Sequence, residues 1–184
     1  TLSIAGNTPI CSGGSLTLTA SGAQTYSWNN GISNGVPFNP TSSSTYTVIG
    51  TNTGMVNGTG STNSCTATAN VSVTVQSPPT APTSISGTNT ICSGQSTTLT
   101  AAGGSNGSGA TFQWGTGTVG SNVIAGQTAS TLTVSPTVTT TYWVRRVGNT
   151  TCTGSTGGTS ATVTVTPSST APTLSGAGII CPNT

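Results

Sequence analysis

Asp, Glu, His and Lys are all missing from the 184 residues, and Arg145 and Arg146 are the only charged side chains. An average soluble domain is about 25% charged; this chain is 1% charged. Acid/base catalysis draws mainly on the missing residue types, and Ser–His–Asp or Cys–His nucleophile systems lose their base. Hard cations such as calcium are held by carboxylates, and there are none. No enzymatic activity, metal or cofactor is therefore expected. Two adjacent arginines give a net charge of +2, which is no footprint for nucleic acid. No apolar run approaches the ~20 residues of a membrane-spanning helix, so no membrane insertion is expected. An initiator methionine and a signal segment are also missing, so the chain is expected to be an interior or processed piece.

Large apolar side chains are scarce too. Hydrophobic residues make up 31% of the chain and aromatics 4%, against 26 glycines, 10 prolines and a Ser/Thr content above one third. Such a composition points toward disorder, but the apolar residues are patterned. Leu16-Thr17-Leu18-Thr19-Ala20 alternates, as do Ala69-Asn70-Val71-Ser72-Val73-Thr74-Val75 and Ala161-Thr162-Val163-Thr164-Val165. Strict alternation with β-branched residues marks half-buried strands, and no segment has a helical period. The expected fold class is all-β.

The chain repeats itself. Ile10-Cys11-Ser12-Gly13 and Ser15 to Ala20 return as Ile91-Cys92-Ser93-Gly94 and Ser96 to Ala101. Tyr26-Ser27-Trp28 matches Phe112-Gln113-Trp114. Pro40 to Val48 matches Pro136 to Val144, and Cys65 matches Cys152. The second copy has longer loops in its first half and a shorter one after Val144, as surface connections allow. Ala171-Pro172-Thr173 and Ile179-Ile180-Cys181 open a third copy. The expected organisation is a first repeat over 1–76, a Pro-rich linker over 77–83, a second repeat over 84–166, and a linker with the first strand of a third repeat over 167–184. Proline stiffens such links and ends strands.

Roughly seven short strands per repeat, separated by turn signals, point to a sandwich of immunoglobulin type. The expected core is Leu18, Trp28, Tyr46 and Val48 in the first copy, and Leu99, Trp114, Tyr142 and Val144 in the second. The segments around Tyr46 and Tyr142 have the form of a tyrosine corner, in which the hydroxyl bonds nearby backbone. The cysteines precede the second strand (Cys11, Cys92) or lie between the sixth and seventh (Cys65, Cys152). Pairing within each repeat, Cys11–Cys65 and Cys92–Cys152, would close loops of more than fifty residues, each worth roughly 4 kcal/mol in the chain-entropy model. That pairing needs the segment ending in Cys11 to run beside the last strand, because the two loops otherwise lie roughly 20 Å apart at opposite ends. The other reading is buried free thiols. Cys181 is left unpaired. Disulfides imply an oxidising compartment.

Together, I-C-S-G-x-S-x-T-L-T-A, the aromatic-x-Trp, P-T-x-[ST]-[ST]-T-Y-x-V and the cysteine before V-T-V resemble the Ig-like and PKD-like tandem repeats of Bacteroidota surface proteins. Those repeats occur in gliding and adhesion proteins of the SprB-like type, exported by type IX secretion. The resemblance implies an extracellular, cell-surface location and a stalk or filament segment, with neighbouring repeats of the same protein as partners. It supplies no catalytic residues.

Trp143 and Arg145 share a strand face opposite to Tyr142 and Val144. They form a candidate platform for a sugar ring or anionic surface polysaccharide; the alternative has Trp143 packed under a loop or a neighbouring repeat. Asn-x-Ser/Thr triplets at Asn57, Asn70, Asn106 and Asn149 leave glycosylation open. The cluster Gly103, Gly104, Gly107 and Gly109 has no lysine or following helix and is not read as a phosphate loop. The leading functional expectation is a disulfide-stapled stalk segment. Its rivals are a carbohydrate-binding module and a homopolymer in which Thr170 to Thr184 adds a strand to a neighbour.

Overall fold

The computed structural model describes residues 1–55 and 62–168. Asn57, Cys181 and the third-repeat segment lie outside the described residues. The first group of strands is β1 (Ser3–Ala5), β2 (Ile10–Cys11), β3 (Thr19–Ser21), β4 (Thr25–Trp28), β5 (Ser44–Met55), β6 (Thr62–Val73) and β7 (Val75–Gln76), with a 3-10 turn at Asn29–Gly31. The second group is β8 (Ser84–Ser86), β9 (Thr90–Cys92), β10 (Thr97–Ala102), β11 (Thr111–Thr116), β12 (Thr131–Val134), β13 (Thr140–Val147) and β14 (Ser155–Thr166).

The second group forms two sheets, in the orders β12-β10-β8 and β11-β13-β14-β9. Alternation aims one face of each sheet inward, and the two faces close on one core. Leu99 and Leu132 come from one sheet; Trp114, Tyr142, Val144 and Val163 come from the other. The Trp114 ring is fully enclosed, and its indole nitrogen donates to the Ala129 carbonyl at 2.9 Å. The first group repeats the plan: β1 pairs with β3, β4-β5-β6 form the facing sheet, and β2 pairs with β7. Its core joins Leu16, Leu18, Trp28, Tyr46, Val48 and Val73.

The chain segment before the second strand changes sheets in both repeats. β8 runs antiparallel to β10, and the following β9 runs parallel to β14. Likewise β1 pairs with β3 and β2 runs parallel to β7. The expected tyrosine-corner bond is not formed. Among the described residues, neither the Tyr46 nor the Tyr142 hydroxyl bonds backbone, although both rings are buried. The hydroxyl that does so is that of Tyr26, which donates to Ala23 O at 2.7 Å and accepts from Ala23 N at 2.9 Å. No helix among the described residues is long and apolar enough to cross a membrane.

Candidate functional site: a covalent joint between the repeats

The segment ending in Cys11 does run beside the last strand, but in parallel. Ile10 is in register with Val75 and Cys11 with Gln76, and Ser12 N donates to Gln76 O at 2.7 Å. Cys11 therefore emerges where the first repeat ends. Cys65 lies eleven residues before Gln76 on β6, about 36 Å of extended chain away. A disulfide needs Cα atoms within about 7 Å, so parallel pairing rules out Cys11–Cys65. Cys92–Cys152 fails for the same reason. Cys92 is in register with Thr166, at the far end of the twelve-residue β14.

The bond that forms instead joins the two repeats: Cys11 to Cys152, with Cα atoms 5.0 Å apart and a separation of 141 positions in sequence. This corrects the expected pairing within each repeat. Cys152 is buried in that bond, whereas Cys65 and Cys92 are free and exposed. The buried-thiol reading fails as well.

Around this bond the chain builds a polar clamp. The turn from Gly148 to Gly154 closes with a 2.8 Å backbone hydrogen bond. Inside it, Asn149 Oδ1 accepts from the amides of Thr151 (2.9 Å) and Cys152 (2.7 Å), which fixes the cysteine's direction as an Asx turn does. The Asn149 Nδ2 donates to Gln76 Oε1 and to Ser108 O, both at 2.7 Å. One side chain thus ties the last strand of the first repeat to the β10–β11 loop of the second.

That loop also carries the linker. Thr80 N donates to Ser105 O (3.0 Å) and Ser108 N to Ser77 O (2.9 Å). In return Ser105 N donates to Thr80 Oγ1 (2.7 Å) and Ser77 N to Ser108 Oγ (2.9 Å). The glycine cluster finds its reason here. Gly104 and Gly107 have φ of +67° and +53°, and a Cβ on either would fall onto linker carbonyls, of Ala81 and Ser77 respectively. Only glycine combines that conformation with so close an approach.

Arg146 secures the loop from below. It is 6% exposed and has no carboxylate to pair with. Its guanidinium donates to Asn106 Oδ1 and to Gly103 O, and stacks 4.1 Å from the Phe112 ring centroid. Neutral oxygens and a π face thus replace the missing counter-charge. Its Nε is buried without a partner. Sequence reasoning missed Arg146 and Asn149 as joint residues. The usable signals were the inward register Tyr142, Val144, Arg146 and the turn-forming Asn149 three residues before a cysteine.

Of the two readings of Trp143, the packed one holds and the ligand platform does not. It is 0% exposed. It points to the outer face as expected, but it lies over Gly115, where any Cβ would collide with its ring. The connection after β11 folds across it: Trp143 Nε1 donates to Ser121 O at 2.8 Å and Thr116 O at 3.2 Å. Arg145 is half-buried beside it, 5.4 Å from the ring centroid, with Nε donating to Gln113 Oε1 at 2.8 Å. No face of the indole is left to receive a sugar.

The chain carries an Ig-like domain: residues 79–167 match the family described as Ig-like domain, CHU_C associated. With two sheets closing on one core in each repeat, the architecture is an all-β immunoglobulin-like sandwich. Several solved structures are similar at low identity. Extracellular domains 3–5 of Drosophila OTK share 15% identity (TM-score 0.49), with 92% of this chain and 62% of that one covered. Murine CEACAM1b shares 16% (0.47; 91% and 100%). Titin domains A168–A170 share 15% (0.45; 83% and 58%). The chain thus spans less than two thirds of the OTK and titin fragments. No curated protein matches it.

Proposed function

We propose that the chain is a structural segment of an extracellular bacterial surface protein, a stalk that holds an adhesive part away from the cell. The observation that carries this reading is the Cys11–Cys152 bond. Tension applied to the ends enters through residues 1–11, crosses the disulfide and leaves through residue 152 onward. The residues between, most of both sandwiches, stand outside the line of force. The bond closes a loop of 141 positions, worth about 5 kcal/mol against unfolding in the chain-entropy model. A free disulfide-forming chemistry belongs to oxidising compartments, which supports an extracellular place. The resemblance to Bacteroidota repeats supports gliding or adhesion proteins exported by type IX secretion as the setting. A carbohydrate-binding role has lost its platform with the burial of Trp143.

Single-molecule stretching tests this reading. With the disulfide intact, the 141 positions it spans stay hidden, withholding about 490 Å of contour length at roughly 3.5 Å per residue. Reduction should release that length. Equal extension before and after reduction would overturn the proposal.

A further inference from the structure

Cys65 and Cys92 are the two exposed free thiols among the described residues, and they are not alike. Cys92 sits at the end of the second repeat as Cys11 sits at the end of the first. Each is the last residue of a short strand parallel to the closing strand: Cys11 opposite Gln76, Cys92 opposite Thr166. The correspondence extends to individual hydrogen bonds. Ser12 N donates to Gln76 O (2.7 Å) and Ser93 N to Thr166 O (3.0 Å). Gly14 N returns to Cys11 O (2.8 Å) and Gln95 N to Cys92 O (3.0 Å). Gly13 and Gly94 both have a φ of +84°.

Cys65 is the first-repeat counterpart of Cys152 in sequence. It lies on the β5–β6 hairpin opposite Asn52, in a hollow it shares with Thr1, Leu2 and Gly22. That is the end of the first repeat at which the chain enters, as Cys152 stands where the linker leads into the second, its Sγ 3.4 Å from Gln76 O and its neighbours Thr153 and Gly154 lining a hollow with Pro78 and Pro79. One end of the described pair of repeats thus offers a Cys11-type thiol and the other a Cys152-type thiol. The bond between those two types is already made once, inside the chain.

We propose that Cys92 of one copy of this chain bonds Cys65 of a second copy, repeating the Cys11–Cys152 joint from molecule to molecule. This deepens the stalk reading and rests on it. The contact is head-to-tail, joining unlike surfaces, and such contacts propagate as open filaments, or rings where the rotation closes, rather than as two-fold pairs. The chemistry is thiol–disulfide exchange. A small-molecule disulfide such as oxidised glutathione caps the Cys65 sulfur, releasing one glutathione thiol. The Cys92 thiolate then attacks that sulfur and expels the second. Two protein thiols are oxidised, one glutathione disulfide is reduced, and the protons pass to the two glutathione thiols.

The test uses the full chain with Cys181→Ser, so that only the two thiols in question vary, incubated with oxidised and reduced glutathione at rising protein concentration. Non-reducing electrophoresis should show a ladder of multimers, and mass spectrometry should find Cys92 joined to Cys65 with Cys11–Cys152 retained. Cys92→Ser alone and Cys65→Ser alone should each lose the ladder. Mixing those two variants should restore one band only, a dimer, because each supplies the half the other lacks. Absence of multimers, or a ladder whose bridges are Cys92–Cys92 or Cys65–Cys65, would overturn the proposal. Neither result touches the stalk reading, which the stretching experiment decides on the internal bond.

Discussion

Trp143 shows how much one neighbouring side chain decides. Its partner across β11–β13 is Gly115, and the missing side chain there leaves a flat bed for the indole. In the first repeat the matched residue is Thr47, and Asn29, which follows Trp28, spends its Oδ1 on the Thr47 amide at 2.9 Å instead. A fully enclosed Trp with both ring faces packed should cost about 3–5 kcal/mol on truncation to Ala. Trp143→Ala should therefore match Trp114→Ala within about 1 kcal/mol, as read by urea unfolding. A cost near zero would return Trp143 to solvent. The facing of Trp143 was legible from the two-residue period. A covering loop was one of two readings, and the choice between them was not legible, because the loop that folds over it follows no period; the longer connection in the second copy and the glycine opposite were the traces that favoured it. By contrast Leu18, Val48, Leu99 and Val144, placed by alternation alone, are all at most 1% exposed.

At the scale of elements, the direction of two short strands settles the covalent structure. Running parallel to β7, β2 heads toward the linker and leaves Cys11 opposite Gln76, eleven residues along the chain from Cys65. Strand candidates could be read from the sequence, and so could the need for Cys11 to lie beside the last strand. Direction could not, because alternation is the same read either way. The β10–β11 loop is the other deciding element, since its glycines accept the linker backbone. Gly107→Ala would place an L-residue at φ +53° with its Cβ on the Ser77 carbonyl. The conformational strain alone is about 1–2 kcal/mol, and the lost docking of Ser77 adds to it. Unfolding of the second repeat, followed by Trp fluorescence, should shift by at least that strain. An unchanged midpoint would show that the linker is not seated on this loop.

At the scale of the whole molecule, the missing charges govern the response to solvent. Stability depends on pH only through groups whose proton binding differs between folded and unfolded chains. No Asp, Glu, His or Lys is present, so the unfolding midpoint should be nearly flat between about pH 3 and 8. Burial raises the Tyr142 phenol above its ordinary value of 10.0, and a hydrogen bond from Thr140 partly opposes that rise. The unfolded chain then gives up this proton first, so stability should fall as pH climbs beyond about 10. Thermal scans across the range check both halves, and a midpoint dropping between about pH 5 and 3 would contradict the first. Holding together two sandwiches with only two charged side chains between them falls to the joint: Asn149, the linker loop and the disulfide. The most direct test is disulfide mapping of the unreduced monomer by mass spectrometry. A peptide pair joining Cys11 to Cys152, with Cys65 and Cys92 open to alkylation, is the predicted result. Bonds Cys11–Cys65 and Cys92–Cys152 would contradict it, leaving each repeat stapled to itself and the joint without its covalent tie.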